Sequence, residues 1–319
     1  MTRGAARGKR KALWRRLELP TWSLAFVIYG AWFALTWFHA ALPGSLLFLA
    51  GGWIMAWHMS LQHEIVHGHP THSRPINTAL GFPPLSLWLP FECYRRSHLA
   101  HHRNVILTDP IEDPESGYVS RAMWDRLPAP CRLFLRAHNT LAGRVILGPA
   151  LLVVRFLWLE AASARHAPTA TLRIWVGHAL GVAAVLWWTS VICGMPFATY
   201  IGFFVYPGLA LTLIRSFAEH RAAADPAHRT AIVEEAPLLG LLFLHSNLHV
   251  AHHAAPSLPW FDLPRYHRAN RADFVQRNNG LVYRGYLDVA RRYLLAQHDT
   301  VAHPQHSSGL VPAQAGQKN

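Results

Sequence analysis

The stretch His-Leu-Ala-His-His at residues 98–102 places two histidines three and four positions after a first one. The stretch His-Val-Ala-His-His at 249–253 repeats this spacing, and His-Glu-Ile-Val-His at 63–67 adds a pair four positions apart. On a helix, offsets of three and four place side chains on one face, a turn apart. We call these three stretches the histidine boxes. Each box can therefore direct its imidazoles towards one point. Together they supply eight imidazoles, enough for two metal ions and too many for one.

The boxes offer nitrogen ligands without sulfur. Neutral imidazole suits iron, zinc, copper and nickel, whereas thiolates would favour zinc or iron–sulfur clusters. The three cysteines, Cys93, Cys131 and Cys193, lie outside the boxes and form no C-x-x-C pair. We therefore expect neither a cysteine-based zinc site nor a disulfide framework.

The composition favours a membrane protein. Hydrophobic residues make up 51% of the 319 residues and charged residues only 15%, against about 25% charged in a typical soluble chain. The formal net charge of +13 could suggest nucleic acid, but the sequence contains no recognised nucleic-acid-binding motif. A positive excess that flanks apolar stretches is better explained by membrane topology and anionic lipid head groups.

Apolar stretches predict two transmembrane helical hairpins. The first comprises residues 21–42 and 46–61, and the second comprises 172–193 and 197–214, each pair joined by a glycine- and proline-containing turn. Residues 1–19 are basic and read as a cytoplasmic arm. With the arm in the cytoplasm, the first hairpin returns the chain to the cytoplasmic side, where the first box follows. The third box must share a compartment with the first two, so an even number of crossings is expected between them. The predicted fold class is an all-α integral membrane protein with a cytoplasmic histidine-box cap.

Other segments are expected to lie at the membrane surface or in solvent. Prolines interrupt the apolar segment 77–92, which predicts a re-entrant or interfacial segment. The stretch 145–159 is short and contains an arginine, so it fits an interfacial helix, and an amphipathic helix is expected near 283–294. Residues 20–303 would form one membrane domain, and the polar residues 304–319 a disordered tail.

An acidic, proline-punctuated loop follows the second box at residues 108–116, and we call it the acidic loop. Its carboxylates could accept hydrogen bonds from ligand histidines and orient them, although a solvated loop explains any one of them equally well. The carboxylates concerned are Asp109, Glu112, Asp113 and Glu115. His58 lies about 140° around a helix from His63, so we do not expect it to contact metal.

With these motifs assembled, the chain resembles the membrane fatty acid desaturase superfamily, the integral-membrane histidine-box di-iron enzymes. That superfamily also includes acyl hydroxylases, alkane hydroxylases and carotenoid ketolases. The matching residues are the three boxes in their order and spacing, within residues 20–295. The run H-G-H-P at 67–70 and the pattern D-P-x-x-D-P at 109–114 resemble bacterial members of the desaturase type.

The resemblance implies a set of iron ligands. Eight come from the boxes, and a ninth is expected after the last hairpin, where His220 stands. The implied ligands are His63, His67, His98, His101, His102, His220, His249, His252 and His253. Some members use an asparagine linked to metal through water; Asn247 is a candidate, and Ser216 stands where some members have that asparagine.

The activity implied by the resemblance is O₂-dependent introduction of a double bond into a fatty acyl chain by two iron ions. The acyl chain would be carried on CoA, a carrier protein or a phospholipid, and a ferredoxin-like or cytochrome donor would supply electrons. Trp53, Trp57 and Trp88 could line an acyl tunnel, or simply pack or face lipid. The basic residues near the cytoplasmic face could attract an acidic donor or serve topology: Arg95, Arg96 and Arg103. The expected location is a bacterial inner membrane.

Three alternatives remain open on the sequence. A hydroxylase or ketolase of the same superfamily would act on an acyl, alkane or carotenoid substrate. The first box also satisfies H-E-x-x-H, the zinc-protease pattern with Glu64 as general base, but such an enzyme needs one zinc and three protein ligands. It would leave the other two boxes unexplained. A metal-binding protein without catalytic activity is the third.

Overall fold

The computed structural model describes residues 13–165 and 167–304. The predicted basic arm therefore lies outside the described residues as far as residue 12, and the predicted tail lies outside them from residue 305. Residues 13–16 form a short helix, α1 (Leu13–Arg16). The grouping of residues 20–303 into one domain stays a prediction.

Four helices of the described chain are long and apolar enough to cross a membrane. They are α2 (Leu19–Trp37), α3 (Gly44–Val66), α10 (Pro168–Leu186) with its π-helical continuation to Ile192, and the helix Phe197–Glu219. The last consists of α11 (Phe197–Tyr200), a π-helical segment (Ile201–Val205) and α12 (Tyr206–Glu219). All four correspond to predicted apolar stretches. The mostly helical fold and the membrane-spanning candidates are thus confirmed.

The second of these helices extends further than its apolar residues. The prediction ended the apolar segment at residue 61, but α3 continues to Val66, and His67 follows it as the cap. No glycine or proline occurs between residues 61 and 67 to end the helix. Gly68, with a left-handed φ of 98°, then turns the chain. His63 therefore sits on the final helical turn, fixed by the helix itself.

Shorter elements accompany the spans. The shorter α-helices outside the spans are α4 (Arg74–Gly81), α5 (Phe91–His101), α6 (Arg121–Arg126), α7 (Ala129–His138), α8 (Leu141–Ile146), α9 (Gly148–Ser163), α13 (Pro237–Leu242), α14 (His249–Ala254), α15 (Leu263–Arg277) and α16 (Tyr286–Tyr293). The segment 77–92 is broken by its prolines, as expected, and α9 has 16 residues, short for a span.

The all-α prediction missed one small sheet. Strands β1 (Ile232–Val233) and β2 (Val282–Tyr283) pair in parallel, with Ile232 opposite Val282. Two residues are too few to show the alternation by which a strand is recognised in sequence. The sheet ties the segment before the third box to the chain that follows α15.

Glycines allow α3 and the fourth candidate span to approach closely. A Cβ on Gly208 would lie 2.5 Å from Cβ of Met55, and a Cβ on Gly51 would lie 2.7 Å from the carbonyl oxygen of Phe203. Small residues let membrane helices pack backbone against backbone. This contact matters for the site, because α3 carries His63 and α12 ends at His220.

We predict that Gly208→Ala lowers the unfolding temperature of the detergent-purified protein, because overpacking a tight contact typically costs about 1–3 kcal/mol. The matched control is Gly177→Ala in α10, where a Cβ meets no heavy atom within 4 Å. That control should be neutral or slightly stabilising. Equal behaviour of the two variants would show that the close approach is not needed.

Candidate metal centre

Helix ends deliver the histidines to one place. His63 lies in the last turn of α3, His98 and His101 in the last turn of α5, and His249 begins α14. His220 follows the last residue of α12 directly. Four separate chain segments thus meet at the C-terminal ends of α3 and of the fourth candidate span.

All nine histidines proposed from the sequence lie in two groups, within each of which the ligand nitrogens are no more than 4.8 Å apart. The five-histidine group consists of His63, His67, His98, His102 and His252. The four-histidine group consists of His101, His220, His249 and His253. The second and third boxes contribute to both groups, so the two groups are adjacent.

Within each group the ring nitrogens face one another. In the four-histidine group, Nε2 of His220 lies 3.0 Å from Nε2 of His101 and 2.9 Å from Nε2 of His249. In the five-histidine group, Nε2 of His98 lies 3.0 Å from Nε2 of both His67 and His102. Two imidazole nitrogens bound at right angles to a divalent ion, at about 2.1 Å each, would be about 3.0 Å apart.

The tautomers of the four-histidine group point to a cation. Nδ1 of His101 donates to Asp113, Nδ1 of His220 to the carbonyl of Arg229, and Nδ1 of His249 to the carbonyl of Ser246. Because these partners only accept, Nδ1 carries the proton and, in the neutral ring, Nε2 carries a lone pair. Lone pairs that face each other at about 3 Å repel unless a positive charge lies between them.

A buried nitrogen without a partner supports the same conclusion in the five-histidine group. Nε2 of His63 is buried and makes no hydrogen bond, which is unfavourable in a protein interior unless a ligand satisfies it. The residues present therefore fit a pair of metal ions bound through imidazole. Iron, zinc, copper and nickel all accept such ligands.

Most of these imidazoles are held in the neutral form that metal binding needs. Burial and the neighbouring His98 and His101 lower the pKa of His102 to about 3. Burial likewise holds the pKa of His252 well below its usual range. For His101, burial lowers the pKa, but the carboxylates of Glu115 and Asp113 outweigh it and raise the pKa to about 9. A metal ion at Nε2 must therefore displace that proton.

Two carboxylates of the acidic loop orient ligands, and two do not. Oδ1 of Asp113 lies 2.9 Å from Nδ1 of His101, and Glu115 lies 3.2 Å from Nδ1 of His98. Asp109 instead accepts backbone hydrogen bonds within its own loop. Glu112 is exposed to solvent. Asp113 and Glu115 therefore orient ligand histidines, whereas Asp109 and Glu112 fit the explanation of a solvated loop.

A further buried carboxylate, not predicted from the sequence, lies beside a ligand histidine. Glu219 lies 3.2 Å from Nδ1 of His249 and pairs with Arg215 at 3.0 Å. All three side chains are buried. The available signal was a carboxylate immediately before His220, at the end of an otherwise apolar span. Such a charged pair is rarely buried in a span without a role.

Four polar side chains near the site take no part in either group. His58 lies beside the Tyr29 hydroxyl, as expected for a residue turned away from the metal face. The Asn247 amide donates to the carbonyl of Val233, and the Ser216 hydroxyl donates to the carbonyl of Leu213. Glu64 accepts from the backbone N–H of Trp260 and belongs to a separate cluster with Glu18 and His69.

The aromatic and basic residues singled out in the sequence have structural partners. Trp53 and Trp57 contact each other and pack against the core, and Trp88 packs on Phe156. Arg95 pairs with Glu92 and Arg96 with Glu160. Arg103 is exposed directly after the second box.

Four candidate spans that end at two groups of buried histidines are the features of a membrane protein with a candidate two-metal centre. The family model for fatty acid desaturases matches residues 36–286, which include every box and three of the four candidate spans, but only the last two residues of α2. The chain belongs to the fatty acid desaturase family. It is therefore a membrane oxidoreductase of the desaturase and hydroxylase superfamily, in contact with lipid and an acyl substrate. Among curated proteins, no relative matches the chain.

We predict that Asp113→Asn weakens metal binding by about 10–100-fold, the usual effect of removing a partner that orients a ligand histidine. The amide would also turn an N–H towards either His101 or the backbone N–H of Thr108, which both donate to the carboxylate. Competition with a chelator measures the affinity. Glu112→Gln, an exposed change in the same loop, is the control, and equal affinities for both variants would contradict the assignment.

Proposed function

We propose that the two histidine groups each hold one iron ion and that the protein desaturates a fatty acyl chain. The observation that supports this most directly is the convergence of nine imidazoles into two adjacent groups with facing Nε2 atoms. Family membership supports iron as the metal, because the family is typically di-iron.

When bound, the iron pair would supply the reduction of O₂ and the oxidising power needed to remove hydrogen from an unactivated methylene. Desaturation of a CH₂–CH₂ pair consumes one O₂ and releases two waters. Two electrons come from the two C–H bonds that break, and two come from an external donor together with two protons. A ferredoxin-like or cytochrome protein fits that role.

The residues of the chain orient the ligand imidazoles and keep bulk water from the site. Asp113 accepts the Nδ1 proton of His101, Glu115 that of His98, and the carbonyl of Ser246 that of His249. These contacts direct Nε2 of the three rings inwards. These three histidines are at least 96% buried, so bulk water is kept from the reacting centre. The substrate carbon must be presented to this centre in a fixed orientation, since selectivity among equivalent methylenes depends on position.

The cytoplasmic side is the proposed location of the site, in a bacterial inner membrane. The basic residues that precede α2 and the exposed Arg103 beside the second box favour this orientation under the positive-inside rule. An acidic donor protein would approach the same face. Two helices between the second and third boxes are candidate spans, so the chain returns to the same side.

Hydroxylation by the same centre is the second candidate, because it differs only in the fate of oxygen after the first hydrogen is removed. The peptidase alternative has less support. Glu64, its required general base, is held by the backbone of Trp260 and by His69, and two histidine groups exceed the single zinc site of such enzymes.

We predict that expression in a host with a defined lipid composition produces new unsaturated acyl chains, and that His101→Ala and His252→Ala each abolish them. His101→Ala removes a ligand from the four-histidine group, and His252→Ala removes one from the five-histidine group. Both variants should remain inserted in the membrane. His72→Ala changes an exposed histidine outside both groups and should leave the product unchanged. Mass spectrometry of the lipids gives the readout.

Two outcomes would contradict the proposal. Undiminished unsaturation in both variants would mean that the histidine groups are not needed. Hydroxylated chains in place of unsaturated ones would replace desaturation by the second candidate.

A further inference from the structure

The end of the described chain lies against the loop that follows the second box. We call residues 298–303 the C-terminal strap. The backbone N–H of Val119 donates to the carbonyl of Val301 at 3.1 Å, and the N–H of His303 donates to the carbonyl of Val119 at 2.9 Å. The strap is thus hydrogen-bonded to the chain just beyond the acidic loop.

A first path of hydrogen bonds leads from the strap to the four-histidine group. Nε2 of His303 lies 3.2 Å from Oγ1 of Thr108, and both side chains are buried. The backbone N–H of Thr108 donates to Oδ2 of Asp113 at 2.9 Å, while Oδ1 of Asp113 accepts from His101. Thr108 has a left-handed φ of 66°, which a β-branched residue adopts only when its surroundings hold it there.

A second path reaches the same group from the other side. The Tyr118 hydroxyl donates to Oδ2 of Asp299 in the strap at 2.8 Å and accepts from the backbone N–H of Ala222 at 2.8 Å. Ala222 follows His220 by two residues. The tyrosine ring also contacts the ring of His303 edge-on.

We propose that the C-terminal strap is a positioning element for the four-histidine group, with His303 and Tyr118 as the positioning residues. The first path ends at His101, and the second ends at the backbone two residues beyond His220. The direction in which an imidazole points depends on the partner of its other nitrogen and on the backbone that carries it. The strap therefore acts on metal retention at this group over a distance, without contacting the metal.

The inference rests on the proposed function, because it needs two bound ions. The positioning role differs from a general stabilising effect of the strap in which metal ions are released when the strap is weakened. A strap that only covered the loop would, when weakened, lower stability and loosen both groups together. A positioning strap loosens the four-histidine group more than the five-histidine group. The first path reaches the five-histidine group only one step further on, from Asp113 through Glu115 to His98, and neither path leads to His63, His67 or His252.

The test uses the full-length protein loaded with iron-57 and measures release of each ion to a ferrous chelator, with Mössbauer spectra as a second readout. Tyr118→Phe removes one oxygen and keeps the ring, and His303→Ala removes the contact with Thr108. Each variant should release one of the two ions at least about tenfold faster and change one of the two iron signals. His303→Gln, which can hydrogen-bond to Thr108, should restore slow release.

Thr300→Ala is the matched control, because Thr300 lies in the strap but its hydroxyl bonds only within it. It should behave as the unchanged protein does. Equal acceleration of both ions, or release unchanged in both Tyr118→Phe and His303→Ala, would overturn the inference while leaving the two-ion centre of the unchanged protein intact. Absence of two ions in the unchanged protein would instead refute the proposed function.

Discussion

The structure depends on the close approach of imidazole nitrogens that have no hydrogen to share. In the four-histidine group the Nδ1 protons of His220 and His249 are committed to carbonyl oxygens, and their Nε2 atoms face each other at 2.9 Å. Such an arrangement is unfavourable alone and favourable around cations. Burial of these rings increases both effects, because electrostatic interactions are stronger where water is excluded.

The packing of the helices keeps these imidazole rings in position. Glycine contacts bring α3 against the fourth candidate span, so His63 and His220 lie close together at the C-terminal ends of these two helices. The buried carboxylate of Asp113 fixes the rotation of the His101 ring. A charged pair such as Arg215 and Glu219 inside a span is costly unless it has a role. Here Glu219 pairs with the arginine and lies beside Nδ1 of His249.

Much of this arrangement was predictable, and the reasons differ by element. The box histidines were identifiable because helical spacing alone places them on one face, and His220 because the resemblance implies a ligand after the last span. The spans were predictable from uninterrupted apolar runs. The acidic loop was only half predictable, since sequence does not say which of Asp109, Glu112, Asp113 and Glu115 turns inwards. Glu219 left a local signal, a carboxylate directly before His220. The two-residue strands and the strap depend on contacts between distant segments, which leave no local pattern.

The most direct test of the central claim is the position and identity of the metals. We expect anomalous diffraction data collected at the iron absorption edge to show two peaks per chain, one among the five-histidine group and one among the four-histidine group. A single peak shared by both groups, or a signal at the zinc edge with none at the iron edge, would contradict the account.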